Sequence, residues 1–234
     1  MPQLPVSAHA LSQALWEVIL ESTAYKTHCA RAEFFRTLDA LEELRGEAAV
    51  DTGSIPSSTA WLLYSAVFHF RPARVAEVGT YIGKSTLAMA LGADAAGITC
   101  KIHTCDQTNN IGLPAIALTP IVQHHSTSVE MLRRVIENDP DARFDFLHLD
   151  GRMGAEDLAL LRKCLSPDAV VALDDFEGLA KGVANAFAIR GAKLLPDHTL
   201  IHPCGLEFLR GWRLYDRSTT ALLVPGRLLH PRPL

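Results

Sequence analysis

The sequence predicts an α/β protein: a doubly wound, Rossmann-like, mostly parallel sheet with an antiparallel edge pair and an N-terminal helical extension. Three observations carry this expectation. From Arg74 onward, short β-type runs alternate with helical runs, the order that builds a parallel sheet through crossover helices. Runs such as Val170-Val171-Ala172-Leu173 are apolar throughout, as expected of strands covered on both faces. The chain before Asp51 shows helical spacing and little β character.

The elements follow in order. Leu11, Leu15 and Ile19, then Phe34, Phe35, Leu38 and Leu41, form an apolar stripe at three-to-four-residue spacing over residues 7–45. Asp51-Thr-Gly-Ser-Ile-Pro breaks that pattern, and Ser57 or Ser58 could cap a second helix running to Phe70. Strands are predicted over 74–78, 99–104, 144–149 and 169–173, and helices over 85–91, 129–136, 156–165 and 179–189. The last two β-like pieces, 194–201 and 219–224, have no helical pattern between them and are expected to pair antiparallel at one sheet edge. Residues 1–55 are assigned to the helical extension, acting as dimer interface or lid, and 56–234 to the sheet domain. Because the apolar stripe lies outside the expected nucleotide-binding core, and C₂ dimers are the commonest oligomers, a homodimer is expected.

Composition narrows the function classes. Of 234 residues, 48% are hydrophobic and 21% charged, which argues against a disordered chain. The net charge of −4 supplies no global basic field for nucleic acid. No apolar stretch reaches the ~18 residues of a membrane span, and the N-terminal residues do not resemble a signal peptide. The five cysteines include no C-x-x-C pair, against a disulfide scaffold or a zinc knuckle. A soluble, cytoplasmic protein is expected, with no membrane or nucleic-acid partner.

The most informative stretch is Val75-Ala-Glu-Val-Gly-Thr-Tyr-Ile-Gly-Lys-Ser-Thr. A buried strand ends at Gly79, a tight turn follows, and Gly83 introduces a helix. This is G-x-x-x-G, not the G-x-G-x-x-G that brings a pyrophosphate against the backbone. It is also one residue short of a P-loop despite Lys84. Glu77 would repel phosphate but attract an amine, so the expected ligand is a nucleoside with a cationic amino-acid tail rather than NAD. Asp106 lies 23 residues beyond Gly83, close to the spacing of the acid that binds a ribose diol in such units.

These residues resemble the first motif of class I S-adenosylmethionine-dependent methyltransferases, and most of all small-molecule O-methyltransferases of the catechol and caffeoyl-CoA type and their bacterial relatives. The resemblance runs from the helix at 59–70 to about residue 186. It implies a methyltransferase domain, S-adenosyl-L-methionine as cofactor and a small hydroxylated acceptor. Glu77, Gly79 and Ser85 would surround the methionine portion, with Thr80, Tyr81 and Gly83 in the same turn. Asp106 would hold the ribose beside Gln107, Thr127 stands where relatives often place an acid near adenine, and Asp150 is counted among the cofactor-binding residues as well.

Two further strands end in acids: Phe144-Asp-Phe-Leu-His-Leu-Asp150, and, 24 residues later, Ala-Val-Val-Ala-Leu-Asp174-Asp175. In a parallel sheet these acids reach the same carboxyl edge as the glycine turn. Three converging carboxylates suggest an oxygen site for Mg²⁺ or another divalent cation held by Asp150, Asp174 and Asp175; solvated loop caps are the alternative. The resembled metal-dependent enzymes carry Asp, Asp and Asn at the matching strand ends. They also carry Lys or His three residues past the first Asp, where this chain has Met153. His148 shares a strand face with Asp150 and becomes the candidate base, with Asp150 as its catalytic partner, while Arg152 could orient an anionic acceptor. His124 and His125 are adjacent on a strand and so point to opposite faces, which favours a structural role. The missing base at Met153 keeps open a second reading, a non-catalytic S-adenosylmethionine-binding subunit.

Overall fold

The computed structural model describes residues 7–24, 28–51, 53–109 and 111–229. Three helical segments come first: α1 (Ala8–Ala24), α2 (His28–Asp39) and a 3₁₀ stretch (Ala40–Glu47). Then follow α3 (Ser57–Phe70), β1 (Arg74–Val78), α4 (Lys84–Ala96), β2 (Lys101–Cys105), β3 (Ile121–His124), α5 (Ser128–Asn138) and β4 (Phe144–Leu149). The chain continues through α6 (Ala155–Cys164), β5 (Leu165–Leu173), α7 (Gly182–Gly191), β6 (His198–Ile201), α8 (Leu206–Gly211) and β7 (Ala221–Pro225).

Among the described residues, seven strands form one sheet in the order β3-β2-β1-β4-β5-β7-β6. The first five are parallel, and β7 runs antiparallel to both β5 and β6. Alternate residues serve opposite faces, as the period of a strand requires. Val75, Phe146, Val170 and Leu222 join one buried cluster, and Ala76, Leu147, Val171 and Leu223 join the other. The first cluster also holds residues of α1, α3 and α4, and the second those of α5, α6 and α7. The doubly wound, mostly parallel architecture with an antiparallel edge is therefore present.

Several local expectations need correction. Neither Ser57 nor Ser58 caps α3: Pro56 holds the N-cap position without a side-chain bond, and Ser58 Oγ instead accepts from the Asp216 backbone N–H at 3.1 Å. The strand that carries His124, β3, ends at that residue, so His125 lies beyond it and not on the strand as expected; its four residues have mixed burial and too short an alternation to set bounds from the sequence. Helix α8 lies between β6 and β7, where no helix was expected. At six residues it is shorter than two turns, too short to show a period.

The N-terminal helices are not left apolar face outward. Leu15, Ile19, Phe34, Leu38 and Leu41 are buried in the same cluster as the sheet residues. Trp16 Nε1 donates to the His202 carbonyl at 2.9 Å, and the His202 N–H donates to Ser12 Oγ at 3.0 Å. The stripe expected to meet a second copy is covered by the chain itself.

Candidate active site

Strand order reverses between β1 and β4: β2 lies on the far side of β1 and β5 on the far side of β4. In open α/β sheets the crevice outside the carboxyl ends at such a switch point is where ligands bind. A cleft of about 910 Å³ opens there, within the usual range for small-molecule sites.

The glycine turn forms its floor. Gly79 has φ +102°, and a Cβ added there would lie 3.4 Å from the backbone carbon and Cβ of Asp150. The turn is thus pressed against the end of β4 in a conformation suited to glycine. The Gly79 and Thr80 N–H groups donate to the Cys105 carbonyl at 3.0 and 3.2 Å, which ties the turn to the end of β2. Asp106 comes next on that strand end. Its Oδ2 accepts from the Tyr81 N–H at 2.9 Å, and its Oδ1 accepts from the Thr108 and Asn109 N–H groups, each at 2.8 Å. Three backbone donors fix this carboxylate, and of its roughly four lone-pair sites the one left, on Oδ2, is available to a ligand. Tyr81 Oη donates to Asp51 Oδ1 at 2.6 Å, joining the turn to the segment before α3. Burial, then the Asp51 bond, push the Tyr81 phenol above its ordinary range.

The expected cofactor residues divide into two groups. Gly79, Tyr81, Asp106, Gln107, Thr127 and Asp150 line the cleft, whereas Glu77, Thr80, Gly83 and Ser85 stand behind its surface. Thr80 Oγ1 is hydrogen-bonded to Thr104 Oγ1 at 2.5 Å. Gly83 holds the N-cap of α4 with φ +78°. Lys84 pairs with Glu42 Oε1 at 3.0 Å and takes no phosphate-loop position. Thr127 caps α5: its Oγ1 accepts from the Glu130 N–H at 3.2 Å while Glu130 Oε2 accepts from the Thr127 N–H at 3.1 Å.

Glu77 and His148 face each other across β1 and β4 and are both 0% exposed. His148 Nδ1 lies 3.0 Å from Glu77 Oε1, and Thr86 Oγ1 donates to Glu77 Oε2. His148 Nε2 meets no hydrogen-bond partner among the described residues. Burial works against charge on this imidazole, but the Glu77 bond and the nearby carboxylates of Asp174 and Asp150 hold its pKa above the ordinary value. His148 does not line the cleft, so the expected base is placed behind the wall, out of reach of an acceptor. It lies within β4 on the face of Phe146, which packs into the buried cluster under α3 and α4, whereas Asp150, of the same parity, stands just past the strand end.

The acids reach the cleft, but the expected oxygen cage does not form. Among the described residues no group of three or more His, Cys, Asp or Glu side chains is arranged to hold a metal. Lys181 Nζ lies between two of the acids, 3.0 Å from Asp150 Oδ1 and 2.8 Å from Asp175 Oδ2. Asp174 is nearly buried, and its Oδ1 accepts from Thr220 Oγ1 at 2.7 Å. Burial first, then the neighbouring Asp174, push the Asp150 carboxyl up to about 6, against the pull of His148 and Lys181. Met153 packs beside the second buried cluster.

Other cleft residues went unread in the sequence. Lys181, Glu177, Arg217 and Thr219 line the end near the acids, and Gly53 to Pro56 form an opposite rim. Asp51-Thr-Gly-Ser-Ile-Pro registered only as a helix breaker. Lys181 was placed inside a helix expected over 179–189, although α7 starts at Gly182. His124 Nε2 lies 3.1 Å from His103 Nδ1 across β2 and β3, which accords with a structural role.

Residues 76–176 match the family model described as a methyltransferase domain, a stretch running from β1 to just past the Asp174-Asp175 turn. The matched methyltransferase domain covers the parallel part of the sheet, from β1 to the end of β5. In fold it is similar to a candidate O-methyltransferase from Klebsiella pneumoniae, at 13% identity and TM-score 0.54, covering 94% of this chain and 100% of that one. It is also similar to the O-methyltransferase TomG from Streptomyces achromogenes in complex with its cofactor, at 18% identity and TM-score 0.50, covering 92% and 99%. Cofactor-bound Rv0187 from MTB gives 19% identity and TM-score 0.50, covering 96% and 99%. No curated protein matches the sequence.

Proposed function

We propose that this protein binds S-adenosyl-L-methionine across the end of β1 and transfers its methyl group to a hydroxyl oxygen of a small metabolite. The observation that carries the reading is the Asp106 carboxylate, held by three backbone N–H donors beside the Gly79 turn. It is a rigid acceptor for a ribose hydroxyl, and a charge-assisted bond of this kind contributes about 1.5–3 kcal/mol. Gly79 lets the methionine portion approach the backbone. Gln107 and the Ser126–Val129 segment border the adenosine end, with Thr127 acting through its backbone while its side chain caps α5.

In the reaction the acceptor oxygen attacks the sulfonium methyl in line. A C–O bond forms as the S–C bond breaks, the electron pair stays on sulfur, and the acceptor proton leaves to solvent. The cleft's contribution is to hold oxygen and methyl at near-attack separation, an effect of about 7–11 kcal/mol at best for a two-reactant displacement. The acceptor would lie at the end lined by Asp150, Arg152, Asp174, Asp175, Lys181 and Arg217. Assistance by Mg²⁺ or another divalent cation draws no support from this arrangement, because Lys181 already pairs with Asp150 and Asp175. A cytoplasmic setting is part of the proposal, supported by four buried cysteines without disulfides among the described residues, which suit a reducing compartment.

One observation favours the alternative of a non-catalytic cofactor-binding subunit: neither Met153 nor the buried His148 offers a base to the cleft. Calorimetry with S-adenosylmethionine, S-adenosylhomocysteine and NADH tests the binding half. Both sulfur cofactors should bind, NADH should not, and Asp106→Ala should weaken binding by at least ~1 kcal/mol. Binding of NADH alone would reject the reading. Transfer of labelled methyl to any member of a broad panel of hydroxylated acceptors then separates catalyst from passive binder.

A further inference from the structure

We propose that the Lys181 ammonium takes the place of a divalent cation at the acceptor end of the cleft, joining Asp150 to Asp175 and offering its remaining N–H to an acceptor oxygen. This rests on the methyltransferase reading above and assigns the chemistry of its acceptor subsite.

The geometry comes first. Lys181 Nζ is 3.0 Å from Asp150 Oδ1 and 2.8 Å from Asp175 Oδ2. A lysine ammonium is a compact point charge with three donors. Two are directed at the acids, and Lys181 itself lines the cleft, so the third is available to a ligand there. A divalent ion in the same gap would stand within a few ångströms of the ammonium and be repelled by it. It would also need about six oxygen ligands, whereas the third acid, Asp174, is 5% exposed and already accepts from Thr220.

Lys181 is also held in position. It is the N-cap residue of α7, and the next residue, Gly182, sits so close to the acidic turn that a Cβ there would lie 2.3 Å from the Asp174 carbonyl oxygen and 2.9 Å from the Phe176 nitrogen. Asn185, one turn further on, donates through Nδ2 to the Gly151 carbonyl at 2.8 Å and accepts from the Met153 N–H at 3.2 Å. The start of α7 is therefore fastened to both acid-bearing strand ends. Asp175 has φ +51°, an unusual backbone conformation for a non-glycine residue, at the carboxylate that meets Lys181. The acceptor subsite is thus a carboxylate–ammonium–carboxylate bridge, suited to an acceptor oxygen that takes a hydrogen bond from the ammonium.

The test uses the full chain and Mn²⁺ followed by electron paramagnetic resonance, with S-adenosylhomocysteine calorimetry on the same samples. Wild type should show no saturable Mn²⁺ site. Lys181→Met and Lys181→Gln, checked for native circular dichroism, should bind Mn²⁺ at least about tenfold more tightly than wild type, and adding Asp150→Asn should abolish that gain. The proposal is overturned if wild type binds Mn²⁺ at a site that Asp150→Asn removes, or if both folded Lys181 variants gain no Mn²⁺ affinity. Failure of wild type to bind S-adenosylhomocysteine would count against the methyltransferase reading alone, since the Mn²⁺ comparison reads the bridge without the cofactor.

Discussion

His148 Nδ1 lies 3.0 Å from Glu77 Oε1 in the interior of the sheet, with neither side chain exposed. Glu77 therefore supports the Gly79 turn from behind: it is braced by His148 and Thr86, and β1 carries the turn directly beyond it. Removing one member of a buried ion pair strands the other, which costs about 3–5 kcal/mol. Glu77→Leu should lower stability by that order in denaturant unfolding.

The same pair sets a pH dependence. The folded pKa of His148 is raised above the ordinary value of about 6.5, so the native state holds this proton more tightly than the unfolded chain. Its stabilising contribution is complete below the unfolded pKa and is lost as pH rises through the folded one. Thermal unfolding followed across that window should show wild type losing stability relative to His148→Asn as pH increases. Parallel curves for the two proteins would contradict the assignment.

Asp150 titrates in the same sense for a different reason. Burial and Asp174 push it up to about 6, so its ionised form is disfavoured in the folded state. Stability linked to this group is complete below its ordinary range near 3.9 and is lost as pH rises through about 6. Asp150→Asn should consequently be neutral or stabilising at pH 7.5, with the advantage shrinking as the medium is acidified. Differential scanning calorimetry at a series of pH values reads this directly.

Gly79→Ala should harm both fold and binding. The position has φ +102°, a conformation that L side chains rarely adopt, and such strain costs about 1–3 kcal/mol. The new methyl would also lie in contact with the Asp150 backbone, under the place proposed for the methionine portion. A loss of thermal stability together with weaker S-adenosylhomocysteine binding is expected.

Thr127 separates capping from cofactor contact. Thr127→Ala removes the α5 cap and should cost about 1 kcal/mol, whereas Thr127→Asp keeps a good cap and should preserve stability. Chemical denaturation of the two variants, beside their cofactor affinities, shows which role this side chain fills.

Much of this protein was legible in its amino-acid order. The apolar runs at Val75–Val78 and Val170–Leu173, separated by helical periods, determine a parallel sheet, because only strands buried on both faces are apolar throughout. The spacing from the Gly79 turn to Asp106, and the acids closing β4 and β5, follow from the same regularity, since successive parallel strands deliver their ends to one edge. What the order of residues did not decide is which side chains, once at that edge, face the cleft or each other. His148 and Asp150 share strand parity, yet His148 turns into the packing beneath α3 and α4 while Asp150 meets the cleft. Lys181 carries no periodic or motif signal, and only the docking of α7 through Gly182 and Asn185 brings its ammonium between Asp150 and Asp175. The apolar stripe of α1 and α2 likewise has no partner written into it. Tertiary packing against α3 and the sheet covered it, because burying apolar surface is non-directional and is satisfied by any apolar face within reach.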